Sequence, residues 1–148
     1  METIGNMMEA LCCGENKTAC KAIRALQEES LRSAAVYPYM DLFLGMLGDA
    51  NSYVRNRGLV LAAANARWDS ENKLDGAMEA YLAHIEDEKP ITARQCVQAL
   101  PAIAAAKPYL APRIRQALLN ANTARCPESM APLLEKDIAA ALKAMSGL

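Results

Sequence analysis

The sequence predicts an all-α fold, an α-α superhelix of about four helix pairs. The first observation is a repeat at a spacing of 39 residues: Tyr39, Phe43 and Met46 match Met78, Leu82 and Ile85, and Arg55, Leu61 and Ala63 match Arg94, Leu100 and Ala102. The second is composition. Ala, Leu and Met are abundant, aromatics make up only 5%, and strand-forming runs are almost absent, so most residues lose little rotamer freedom in a helix. The third is a series of segments with apolar residues at helical spacing. Each repeated stretch reads as a short helix, a tight link with an acid (Asp49, Asp87) and a longer Ala-rich helix. Such a unit cannot bury its apolar faces alone and needs stacked neighbours.

The elements follow in order. Ile4, Met8 and Leu11 fall at i, i+4, i+7 before Gly14, which predicts a first helix over about 3–13. Asn16 is placed to cap a second, to about 33, with Ala19, Ile23, Leu26 and Ser30 inward and Lys17, Lys21, Arg24 and Glu28 toward water. The third, about 38–48, starts at Pro38, carries the stripes Tyr39-Phe43-Met46 and Met40-Leu44-Leu47, and stops at Gly48. Two stripes demand burial on more than one side. The fourth, about 52–67, is almost wholly apolar from Gly58 to Ala66. The fifth, about 71–86, is capped by Asp69 or Ser70, with Met78, Leu82 and Ile85 inward. The sixth, about 90–106, starts at Pro90 and contains Pro101, which removes a backbone hydrogen bond and predicts a kink near Leu100. Pro108 and Pro112 frame a seventh to about 121, with Ile114 and Leu118 inward. The eighth ends near 146, with Leu134, Ile138, Ala141 and Met145 inward and Glu135, Lys136, Asp137 and Lys143 outward.

Length and charge bound the function. The 148 residues, 53% apolar, fit one domain spanning 1–148 with a core of its own. The 16 basic residues nearly balance 17 acidic ones, which argues against nucleic acid as the partner. Five cysteines (Cys12, Cys13, Cys20, Cys96, Cys126) form no Cys-x-x-Cys pair and cannot all pair within one chain, which fits reduced thiols in the cytoplasm. The start Met1-Glu-Thr-Ile-Gly-Asn6 lacks the pattern of a secretory signal, and no run has the roughly 18 apolar residues of a membrane span. A cytoplasmic protein without a membrane partner is the expectation.

The segments Asp49…Val54-Arg55…Leu61 and Asp87…Ala93-Arg94…Leu100 resemble the link and second helix of HEAT-like repeats. In that family the turn Asp and the Arg early in the second helix meet along the stack. The resemblance covers mainly residues 38–106, with Ala93 where Val is usual and Pro101 inside the helix as departures. Asn51-Ser-Tyr-Val-Arg-Asn-Arg-Gly58, Asp87–Cys96 and Met130–Asp137 are further similar to a group of small single-domain bacterial HEAT-like proteins often labelled SufBD proteins. The resemblance implies a helical-repeat fold and little chemistry, because the iron–sulfur scaffolds of that label are β-helical and this chain lacks their short repetitive strands.

Candidate residues follow from what repeat packing does not need. Arg55 and Arg94 each have a turn acid nearby, Asp49 and Asp87, and an Arg–carboxylate fork is the common structural use. Arg57 is matched at the repeat spacing by Cys96, so packing does not demand its charge. With Tyr53, Asn56, Arg94, Gln95 and Gln98 it forms the expected binding surface on the second helices, which line the concave side of such stacks. Trp68 is the only tryptophan and, with Asp69, resembles the aromatic–acid pair of HEAT-like DNA alkylation-repair glycosylases; a ring capping the core is the simpler use. His84 is the only histidine, placed one turn from Glu88, and Cys12-Cys13 stand beside Gly14 without zinc spacing. The expected function is an adaptor that binds a protein or peptide, with no catalysis, metal or cofactor. The alternative is an enzyme or accessory on the same fold, either an alkylation-repair-like glycosylase or a cofactor-attachment helper.

Overall fold

A computed structural model describes residues 3–11 and 15–148, and among them no strand occurs. Eight α-helices follow one another: α1 (Ile4–Leu11), α2 (Asn16–Arg32), α3 (Met40–Met46), α4 (Ser52–Ala64), α5 (Lys73–Ala83), α6 (Pro90–Ala106), α7 (Ala111–Leu119) and α8 (Ala131–Ala144). The Cys12-Cys13 pair, the stop at Gly14 and the side chain of Asn16 lie outside the described residues. All eight expected helices are present, most of them shorter. The missing ends are single 3₁₀ turns at Tyr37–Tyr39, Ala66–Trp68, His84–Glu86 and Pro108–Leu110. A tighter turn gives otherwise orphaned terminal carbonyls a donor three residues on.

α2, α4, α6 and α8 contact one another in succession. α1 packs on α2, α3 on α4, and α7 against α6 and α8, while α5 reaches α6 through the turn His84–Glu86. The two stripes of α3 meet this demand: Met40, Phe43, Met46 and Leu47 are buried, and Tyr39 and Leu44 are half-buried. α4 is enclosed by α2, α3 and α6, so Leu59, Leu61, Ala62 and Ala63 are all buried. Its counterpart α6 buries Cys96, Val97, Leu100 and Ile103 and continues through Pro101 to Ala106.

One glycine sets the distance between two helices. A Cβ added at Gly58 would stand 2.6 Å from the Phe43 carbonyl oxygen and 2.8 Å from Cβ of Met46. α3 and α4 therefore touch backbone to backbone. The residue 39 positions on is Val97, fully buried, so the next pair is spaced by a side chain instead. Gly48, by contrast, follows the end of α3 without a left-handed conformation. The one left-handed residue among those described is Asn72, at φ 54°, immediately before α5.

Two stability outcomes follow. Leu61→Ala and Leu100→Ala, both at fully buried sites, each lower the free energy of unfolding by about 2–5 kcal/mol in urea melts. Gly58→Ala also lowers it, although alanine is the better helix former by about 1 kcal/mol, because the added methyl meets backbone rather than a movable side chain.

Candidate functional site

The buried charges show which polar side chains are occupied with holding the helices together. Arg55, at 6% exposure, sends Nε to Oδ2 of Asp87 at 3.1 Å and Nη2 to Oδ1 at 2.9 Å. Its Nη1 donates to the carbonyls of Asp49 and Ala50, both at 3.0 Å. The guanidinium thus ties the turn before its own helix to the turn before α6. Asp87 also accepts from the backbone N–H of Lys89 at 2.9 Å and lies 2.7 Å from Nδ1 of His84. Burial alone would raise its pKa; the Arg55 fork, the Lys89 N–H and His84 hold it below the usual carboxylate range.

Four expectations about these ions are corrected. Arg55 takes the acid of the following link, not Asp49, whose Oδ1 accepts from the N–H of Asn51. Arg94 takes Asp137 of α8, with Nε 2.6 Å from Oδ2, because the position 39 residues after Asp87 is Cys126 and offers no carboxylate. Asp137 accordingly faces α6 instead of water. His84 pairs with Asp87 three residues on, because the 3₁₀ turn His84–Glu86 brings i and i+3 together, and not with Glu88.

A second ionic cluster was not legible in the sequence. Lys107, 5% exposed at the end of α6, places Nζ 3.2 Å from Oδ2 of Asp69 and 2.7 Å from Oδ1 of Asp75. Nζ also lies 2.9 Å from Oδ1 of Asn72, a partner for the one left-handed residue. Asp69 accepts from the Tyr37 hydroxyl at 2.6 Å and from the N–H groups of Lys73 at 3.0 Å and Leu74 at 2.9 Å, so it does cap α5. Burial works against the ionised form of both acids, yet these donors and Lys107 hold Asp69, and Lys107 and the Tyr109 hydroxyl hold Asp75, below the ordinary carboxylate range. Trp68, half-buried beside it, donates Nε1–H to the Ser30 carbonyl at 2.7 Å, and the Arg67 guanidinium lies 5.6 Å from its ring centre. The lone lysine after a run of alanines gave no hint, since its acids stand 38 and 32 residues earlier.

What remains open is the face shared by α2, α4 and α6. Three adjoining depressions of about 400, 250 and 460 Å³ run along it. Tyr53, Asn56, Arg57 and Gln95 line the first, together with Cys20 and Arg24 of α2; Gln95 and Gln98 line the second. Tyr53 is 57% exposed, and the Asn56 side-chain oxygen is buried with no hydrogen-bond partner. Arg57 is more occupied than its sequence position suggests: it is 9% exposed and Nη1 donates to the Leu11 carbonyl at 3.3 Å, fastening the end of α1. Arg94 lines none of the three, being turned to α8. Cys20, Arg24 and Gln27 were missed because the 39-residue match does not reach α2. Arg115 at the far edge donates to the carbonyls of Met145 and Leu148, which closes the end of α8.

Among the described residues no group of three or more His, Cys, Asp or Glu side chains is placed to hold a metal ion, and no helix is long and apolar enough to cross a membrane. Cys96 is fully buried, and burial pushes its thiol pKa up. A scan of family models finds no match to the chain, and searches of curated proteins and of solved structures return no significant match.

The buried ions set the pH response. Asp69, Asp75 and Asp87 are all depressed in the folded state, whereas in the unfolded chain an aspartate titrates near about 3.9. On acidification the unfolded chain binds protons first, so their stabilisation is complete above about pH 5 and is lost progressively as pH falls below about 4 towards the lowered folded-state pKa values. Urea midpoints taken between about pH 7 and pH 3 follow that course, and Asp87→Asn lowers the neutral midpoint while flattening the acid limb. Lys107→Met costs about 3–5 kcal/mol at neutral pH, the usual scale for leaving a buried charge unpaired. The cost shrinks on acidification, as the abandoned carboxylates protonate.

Proposed function

We propose that this chain is a HEAT-like helical repeat protein of the cytoplasm that recognises a protein or peptide on the face made by α2, α4 and α6, and that it acts as an adaptor without catalysis of its own. The observation that supports this most directly is the first depression: Tyr53, Asn56, Arg57 and Gln95, from two successive long helices, line one opening of about 400 Å³ with α2 as its other wall. An exposed aromatic beside amides and guanidinium groups is the composition over-represented where binding energy concentrates. The repeat reading is supported by the Arg55–Asp87 pair, in which the acid of one link meets the arginine early in the preceding long helix; Arg94 finds its carboxylate on α8 instead. The Trp68–Asp69 pair lends little to the glycosylase alternative, since both oxygens of Asp69 already have donors inside the protein.

Tyr53→Ala, Gln95→Ala and Gln98→Ala combined test the reading. None of the three side chains is buried, so the melting temperature stays close to that of the parent. Capture of native partners from lysate, compared by mass spectrometry, falls with the triple change. Undiminished capture moves the interface off this face, and a large drop in melting temperature means that core was mistaken for surface.

A further inference from the structure

The open face carries charge of one sign. Every charged side chain lining the three depressions is an arginine, namely Arg24, Arg57 and Arg67, and no carboxylate lines any of them. This is uneven for a chain whose net charge is −1. Arg57 is engaged with the end of α1 and Arg67 lies over Trp68, but Arg24 is exposed and makes no ion pair among the described residues. It belongs to a row on α2, Lys17, Lys21 and Arg24 at i, i+4, i+7, all exposed and all without an ion pair. Cations left unpaired at a groove rim raise the local concentration of anionic groups and set which partners are rejected.

The floor limits what the anion belongs to. Val60, Ala63, Ala64, Ala99 and Ala102 present short apolar side chains, and Gln27, Gln95 and Gln98 stand among them with amides that both donate and accept. A peptide backbone has the complementary mixture of N–H and C=O groups, and small apolar side chains fit an alanine floor. Nucleic acid fits less well: the depressions offer one aromatic, Tyr53, for stacking bases.

Building on the reading of this face as a docking surface, we propose that its occupant is an acidic peptide segment of a partner protein. Carboxylates of the segment meet Lys21 and Arg24 at the rim, its backbone meets the glutamine amides, and its apolar side chains lie on the alanines of α4 and α6.

Fluorescence anisotropy with a labelled peptide of alternating Glu, Ala and Leu tests this, beside the same peptide with Lys for Glu and a labelled single-stranded oligonucleotide. The protein binds the Glu peptide, and the Lys peptide binds at least about tenfold more weakly. Lys21→Glu with Arg24→Glu, at two exposed and unpaired positions, reverses that preference without changing the melting temperature. Added salt weakens both the Glu peptide on the parent protein and the Lys peptide on the charge-reversed variant. Equal binding of both peptides, or charge reversal without effect while Tyr53→Ala weakens both, overturns the acidic partner and leaves the docking face standing. Binding of neither peptide overturns the proposal, and tighter binding of the oligonucleotide transfers the face to nucleic acid.

Discussion

The bidentate contact between Arg55 and Asp87 is the constraint on which the stacking rests. A guanidinium at 6% exposure is stable only when its donors are met. Here they are met by one carboxylate from the following link and two carbonyls from its own. Those partners can be reached only if α4 and α6 lie side by side with their N-terminal turns level. Apolar packing alone tolerates sliding, since a leucine in a core has many nearly equivalent neighbours. A planar fork with fixed donors does not. The contact therefore selects one alignment among several of similar hydrophobic energy.

The same device recurs at other points with different parts. Arg94 and Asp137 align α6 with α8. Lys107 closes the opposite end of α6 against the acids before and within α5, and Arg57 secures the last turn of α1. Each joins elements distant in sequence, and the Lys107 and Arg57 contacts do so where a helix ends and backbone groups lack partners anyway. Polar specificity thus sits at the two edges of the helix layer, and the middle is left to Leu61, Leu100, Ile103 and their neighbours. Asn72 illustrates the cost of this arrangement: a left-handed backbone is accepted there next to the bond its side chain makes with Lys107.

This division explains why one face stays open. α3 and α5 cover one side of the long helices, with α3 drawn so close that only glycine fits at position 58. On the other side the helices show short side chains and amides, with Arg24 of α2 at the border. The face is neither apolar enough to resemble an uncovered core nor charged enough to resemble an ordinary solvated helix surface.

The sequence by itself determined the helices and their inward faces. Met40, Phe43, Leu61, Leu100, Ile114 and Leu134 are buried as their spacing requires, because helical periodicity is a local property that neighbours at i+3 and i+4 already express. It also placed Asn56 and Gln95 on one surface, because they stand 39 residues apart on matched helices. Tertiary structure alone decided which charges pair. Arg55 lies nearer in sequence to Asp49 than to Asp87, and Lys107 gives no sign of Asp69, yet the distances that matter are set by how α4, α5 and α6 pack together. The burial of Arg57 and the exposure of Arg24 were decided in the same way. Both are arginines on helices that flank one depression, and only the docking of α1 distinguishes the one that holds the fold from the one left free.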